Sequence, residues 1–157
     1  MSLDEMINFV RLSENLLTSG QPDEDDFREA AQAGVQAVIN LARPDSDFAL
    51  PNEAEIVRAL GMDYVHIPVD WENPTRQKLE QFWAEMEARE GQKLLVHCAL
   101  NYRVSAFTAL WKALKLGEEP GKAFQHVHEI WEPKDYPIWD DFIRHVLADG
   151  GIDTPSL

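Results

Sequence analysis

Two apolar rhythms alternate along this chain. Residues 35–41 (VQAVINL), 64–69 (YVHIPV) and 93–97 (KLLVH) are short runs of aliphatic and β-branched side chains, the pattern of strands buried on both faces. Between them the apolar positions open to helical spacing. In 75–90, Leu79, Phe82, Trp83 and Met86 fall on one face, and Gly91 follows as a stop. Helices are likewise predicted over 23–33 before Gly34, 52–60 before Gly61, and 103–116 before Gly117, with two more over 120–131 and 137–148. Two short strands, 9–12 and 16–19, precede this series and are joined by a turn at 13–15, with Gly20-Gln21-Pro22 breaking the chain after them. Strand and helix taking turns in this way predict an α/β fold with a mostly parallel central sheet flanked by helices. In such folds ligands bind beyond the C-terminal ends of the strands.

The 157 residues suit one domain spanning 1–157, and 45% hydrophobic residues suffice to fill its core. Charge narrows the partners. With 14 Lys and Arg against 28 Asp and Glu, the formal net charge is −14, which speaks against nucleic acid or an anionic membrane held by a basic surface. No stretch approaches eighteen apolar residues, and the first twenty positions carry Asp4, Glu5, Arg11 and Glu14, so a cytoplasmic protein without a signal segment is expected. Oligomeric state is not encoded in any pattern here. The lone cysteine, Cys98, excludes an intrachain disulfide framework.

Cys98 follows a predicted core strand directly and precedes a predicted helix. A loop wrapped around a helix start aims backbone N–H groups and the positive end of the helix dipole at one point, which suits an anion and favours a thiolate. Arg103 adds a cation whose forked donors grip two oxygens of a tetrahedral anion. A cation in the first turn of a helix opposes the dipole, and this cost argues that Arg103 has a function there. The loop has no glycine, so Asn101 is the residue best able to take a left-handed conformation.

With His97-Cys98, Arg103 and Ser105 after the strand Leu94-Leu95-Val96, the chain resembles the cysteine-based protein tyrosine phosphatase superfamily, in particular small bacterial phosphatases similar to dual-specificity phosphatases. Segments 17–22, 33–44 and 64–70 extend the resemblance to about residues 9–116. The resemblance implies that Cys98 attacks phosphorus and forms a phosphocysteine, that Arg103 and the amides of Ala99, Leu100, Asn101 and Tyr102 bind the phosphoryl oxygens, and that Ser105 hydrogen-bonds the thiolate. His97 would orient the loop from behind. Asp70, ahead of Trp71-Glu72-Asn73-Pro74, would be the general acid, with Glu72 as its neighbour able to do the same chemistry. No cofactor or metal is implied, and the partner would be a phosphorylated protein or small metabolite.

One departure shapes the alternatives. The family's loop is Cys-x5-Arg, whereas Cys98 and Arg103 enclose four residues, and Val104 stands where the arginine usually falls. Six-residue loops are typical of rhodanese-like sulfurtransferases, so persulfide chemistry on Cys98 is the enzymatic rival. A phosphate-binding module without turnover is the third reading. Elsewhere the plainer roles are expected. Arg43 is read as a solvated loop cation, and Asp23 to Asp26 as a helix start rather than a calcium loop. His126 and His128, two apart on a helix, do not chelate together. Trp83, Trp111, Trp131 and Trp139 are read as core anchors, and the tail 150–157 as frayed.

Overall fold

The computed structural model describes residues 3–153. Five strands form one sheet in the order β1-β2-β5-β3-β4. β1 (Val10–Ser13) and β2 (Leu16–Ser19) make an antiparallel hairpin, while β2, β5 (Leu94–His97), β3 (Ala37–Asn40) and β4 (Asp63–His66) run parallel. Side chains alternate across a strand. Register therefore places Leu17, Leu95 and Val38 in one row and Leu94, Val96, Ala37 and Ile39 on the opposite face.

The first row is covered by α1 (Glu24–Gln32) and α2 (Glu53–Ala59), through Phe27, Ala30 and Val57. The second meets a larger helical layer of α3 (Arg76–Ala88), α4 (Tyr102–Leu114), α5 (Pro120–Ala123), α6 (Gln125–Ile130) and α7 (Pro137–Asp149), which contributes Leu79, Phe82, Phe107, Leu110, Trp139 and Leu147. β5 is central and buried on both faces, as its unbroken apolar run predicts. The acidic start of α1 is a capping box, with Asp23 and Asp26 each accepting from the other's backbone N–H. No helix among the described residues is long and apolar enough to cross a membrane.

The expected α/β architecture is observed, and several boundaries differ. The strand expected over 64–69 ends at His66, because Pro68 has no N–H for a ladder. Its extension still tracks β3, with Ile67 and Val69 donating to Asn40 O and Leu41 O at 2.9 Å each. That path delivers Asp70 to the end of the sheet where β5 hands over to α4. The helix expected over 120–131 is divided at the buried Phe124, which closes α5 and opens α6. Trp83, Trp131 and Trp139 are buried, but Trp111 is only partly so. Of the tail read as frayed, Gly151 and Ile152 bond back to Ala148 O and Leu147 O, and Ile152 packs on the core; 154–157 lie outside the described residues.

His126 on α6 points inward, its Nε2 3.2 Å from Ser105 O and 3.1 Å from Thr108 Oγ1, whereas His128 meets Glu132 at 3.1 Å. Burial, aided by the Lys112 charge, lowers the His126 pKa to about 4. The unfolded chain protonates this imidazole near its ordinary value, 6.5, while the folded chain resists until about 4. Stability is thus fully present above pH 6.5 and lost progressively down to about 4. The loss amounts to roughly 3 kcal/mol at most. Melting temperature measured across that window is expected to fall with acid, and to fall less steeply in His126→Gln.

Candidate active site

The turn from β5 into α4 is built by pinning carbonyls outward. His97 Nδ1 lies 3.2 Å from Cys98 O, Gln21 N donates to Ala99 O at 2.9 Å, and Asn8 Nδ2 donates to Leu100 O at 2.9 Å. In a trans peptide the C=O and the following N–H point opposite ways. Holding these three carbonyls behind the loop therefore turns the N–H groups of Ala99, Leu100 and Asn101 to its front. Among the described residues, no backbone N–H from Ala99 to Val104 bonds to another backbone group. A row of free amides at the start of a thirteen-residue helix is an anion cradle.

Asn101 completes the turn with φ +67°, the left-handed conformation expected for it in a loop without glycine. Its side chain is fully buried and donates to Asn8 O at 2.7 Å and Thr18 Oγ1 at 3.2 Å, so it buttresses the loop while its backbone faces the front. A pocket of about 260 Å³ lies there, lined by Cys98, Ala99, Leu100, Tyr102 and Arg103 together with Trp71 and Tyr136. Cys98 is 1% exposed, at the pocket floor. Arg103 is almost buried, and its Nη1 donates to Val69 O at 2.9 Å. This bond ties the loop to the strand extension that carries Asp70.

Asp70, Glu72 and Ser105 are not among the residues that line this pocket. Asp70 accepts from Glu72 N at 3.0 Å and pairs with Arg43 Nη1 at 3.2 Å, an exposed contact beside the pocket lining. Arg43, read as a solvated cation, thus bridges Asp70 and Asp45. Glu72 is exposed. Ser105 is buried, donating to Tyr102 O and accepting from Trp131 Nε1 at 2.9 Å each, so its hydroxyl is directed to those two groups rather than to a thiolate. Nothing in an isolated first-turn serine signals a tryptophan arriving from α6.

Sequence reasoning missed two groups of residues. Glu53 is 6% exposed, and its carboxylate meets His97 Nε2 at 2.7 Å and Gln21 Nε2 at 2.8 Å. Burial acts to raise the Glu53 pKa, but the bonds and charge of His97, with the hydrogen bonds of Gln21 and Tyr64, outweigh it and hold the pKa below its ordinary value. The second group is aromatic. Trp71 packs on Tyr102, Trp131, Tyr136 and Trp139 with ring centroids 5.2–5.9 Å apart, and Trp139 Nε1 donates to Trp71 O at 2.7 Å. The aromatic content of 131–139 was visible in the sequence, but its position over the pocket was not.

Gly20 lies against the back of the loop. A Cβ there would sit 2.5 Å from Ala99 O and 2.8 Å from Ile7 Cγ2, so Gly20→Ala must displace the Ala99 carbonyl and with it the Leu100 amide. Inorganic phosphate binding, measured by calorimetry, is expected to weaken in this variant by about tenfold to a hundredfold, the scale on which small misplacements of a binding group act.

Residues 8–115 match the family described as the phosphatase-like domain of beta-lactamase hydrolase-like protein. A beta-lactamase hydrolase-like protein of Xylella fastidiosa is 30% identical over 128 residues, 78% of this chain; the chain spans only 29% of that relative's length. The crystal structure of a candidate phosphatase from Shewanella putrefaciens superposes with a TM-score of 0.85 and 39% identity over 96% of this chain and 97% of its own. The kinase-associated phosphatase, solved with its catalytic-site cysteine substituted, shares the fold at 15% identity, with a TM-score of 0.74 over 95% of this chain and 98% of its own. The fold that the resemblance implied is the one these phosphatase structures share with the chain. The chain belongs to the phosphatase-like domain family of beta-lactamase hydrolase-like proteins.

Proposed function

We propose that this protein is a cysteine-dependent phosphatase acting on a phosphomonoester. The observation that carries the reading is Cys98 at the floor of a pocket whose wall is a row of free amides followed by Arg103. The phosphoryl group of the substrate, a phosphoprotein or a small metabolite, would occupy the cradle. The Cys98 thiolate attacks phosphorus, forming the S–P bond as the bond to the leaving oxygen breaks, and Asp70 protonates that oxygen. Water then attacks phosphorus, giving its proton to Asp70, and the S–P bond breaks to return the thiolate and release inorganic phosphate. Amides and guanidinium stabilise the charge of both transition states at contact range. For Asp70 to serve, its carboxylate must leave Arg43 and swing toward the pocket. The Arg43 contact is exposed, and exposed pairs cost little to break.

A second reading is favoured by the six-residue loop and by the Ser105 hydroxyl, which is directed to Tyr102 and Trp131. In sulfur transfer the thiolate attacks the outer sulfur of thiosulfate, the new S–S bond forms as sulfite leaves, and an acceptor thiolate or cyanide removes the sulfur. This chemistry needs the anion cradle and Cys98 but neither a general acid nor a serine at the leaving thiolate.

One sample assayed two ways separates these readings. Hydrolysis of para-nitrophenyl phosphate is expected in the wild type and is expected to drop at least about a thousandfold in Cys98→Ser, since loss of a nucleophile removes nearly all of its catalysis. Asp70→Asn is expected to lower kcat by about 10²-fold to 10⁴-fold with little change in KM, and Glu72→Gln to leave it near wild type. Thiocyanate formed from thiosulfate and cyanide, without phosphate release, would move the assignment to sulfur transfer. Phosphate binding with neither product would leave a binding module.

A further inference from the structure

The imidazole of His97 is fully buried and has an acceptor at each nitrogen: the Glu53 carboxylate 2.7 Å from Nε2 and the Cys98 carbonyl 3.2 Å from Nδ1. A carbonyl oxygen only accepts, so Nδ1 must carry a proton. The carboxylate is supplied with further donors, Gln21 Nε2 at 2.8 Å and the Tyr64 hydroxyl, which itself accepts from Asn40 Nδ2 at 3.0 Å. Donors on every side suit an ionised Glu53, in keeping with its lowered pKa. The ring is thus held at both edges, by the carboxylate behind it and the Cys98 carbonyl in front.

We propose that Glu53 is a positioning residue for Cys98, holding the His97 ring so that its Nδ1–H fixes the Cys98 carbonyl and aims the Ala99 amide at the thiolate. The inference rests on the reading of Cys98 as a nucleophile but not on which group it transfers. Glu53 lies on the far side of the ring, and Nδ1 on the side of Cys98. Replacing the carboxylate by a neutral amide weakens the bond that fixes the far edge of the ring, and the Nδ1–H then holds the Cys98 carbonyl behind the loop less firmly. Donation from Nδ1 also polarises the Cys98–Ala99 peptide and makes the Ala99 N–H a stronger donor to the thiolate. Among the described residues, no other element places a charge against the ring. α1 contributes the edge of Phe27, with ring centroids 5.9 Å apart, and the β2–α1 connection contributes Gln21. β3 and β4 contribute Asn40 and Tyr64; Arg58 stands over the outer face of Tyr64, 5.9 Å from its centroid. On the pocket side the facing charge is Arg103.

The test reads the thiolate directly. Alkylation of Cys98 by iodoacetamide is followed by mass spectrometry from pH 4 to 9 in wild type, Glu53→Gln and Glu53→Asp, with folding checked by circular dichroism. The expected result is a reactivity midpoint about one pH unit higher in Glu53→Gln, equivalent to a tenfold smaller thiolate fraction at low pH, with part of the shift recovered in Glu53→Asp. Coincident midpoints in folded wild type and Glu53→Gln would overturn the proposal. Where Glu53→Gln does not fold, nitrogen-15 spectra of the wild-type His97 ring decide. A proton on Nδ1 supports the proposal, and a ring without one there overturns it. A chain that hydrolyses no phosphate ester yet shows the midpoint shift removes the phosphatase reading and retains this one.

Discussion

Peptide planarity is the constraint on which the site depends. A loop that is to present consecutive amides to an anion must hide the carbonyls between them, and each hidden carbonyl needs its own donor. The structure meets this demand from three directions: a side chain of β5, a main-chain N–H after β2, and the Asn8 side chain from ahead of β1. Several unrelated-looking features then share one cause. Gly20 has no side chain because the Ala99 carbonyl occupies its Cβ position, and Asn8 takes φ +47° to reach Leu100. Asn101 supplies the left-handed residue that lets a short loop enter α4.

This short-range design suits the electrostatics of the whole chain. A formal charge of −14 gives an approaching anion no long-range attraction, so recognition must come from donors that act at contact. Arg103 is the cation retained inside the pocket, braced by Val69 O rather than neutralised by a carboxylate. Arg43 is shared between Asp45 and Asp70 at the rim, where its charge is largely spent on its own neighbours.

The architecture was legible because it follows from local rules. Apolar runs of strand length, helical spacing and glycine stops place the elements of the sheet and its two helical layers to within a few residues, and the position of Cys98 after β5 follows from them. Asn101 was legible for the same reason, since backbone handedness is a property of single residues. Glu53 was not. A glutamate in the first turn of a helix is ordinary near the dipole, and only the packing of α2 beside β5 turns it inward to His97. The setting of Ser105 was hidden as well, because its partner Trp131 lies twenty-six residues away and meets it only through the turn at Phe124. Strand β4 stops early for a local reason, Pro68, that the apolar pattern of 64–69 conceals.

The aromatic wall joins two distant stretches of the chain. Trp71 follows Asp70 directly, yet its ring and its carbonyl are both held by residues 131–139, which fall outside the 8–115 region shared with the family. The loop of free amides and the residues that brace Trp71 are thus supplied by different stretches of chain. The two are not independent: Trp131 donates to Ser105, which donates to Tyr102 O at the start of α4. A change at the end of α6 is therefore felt both at the mouth of the pocket and in the turn that carries Cys98.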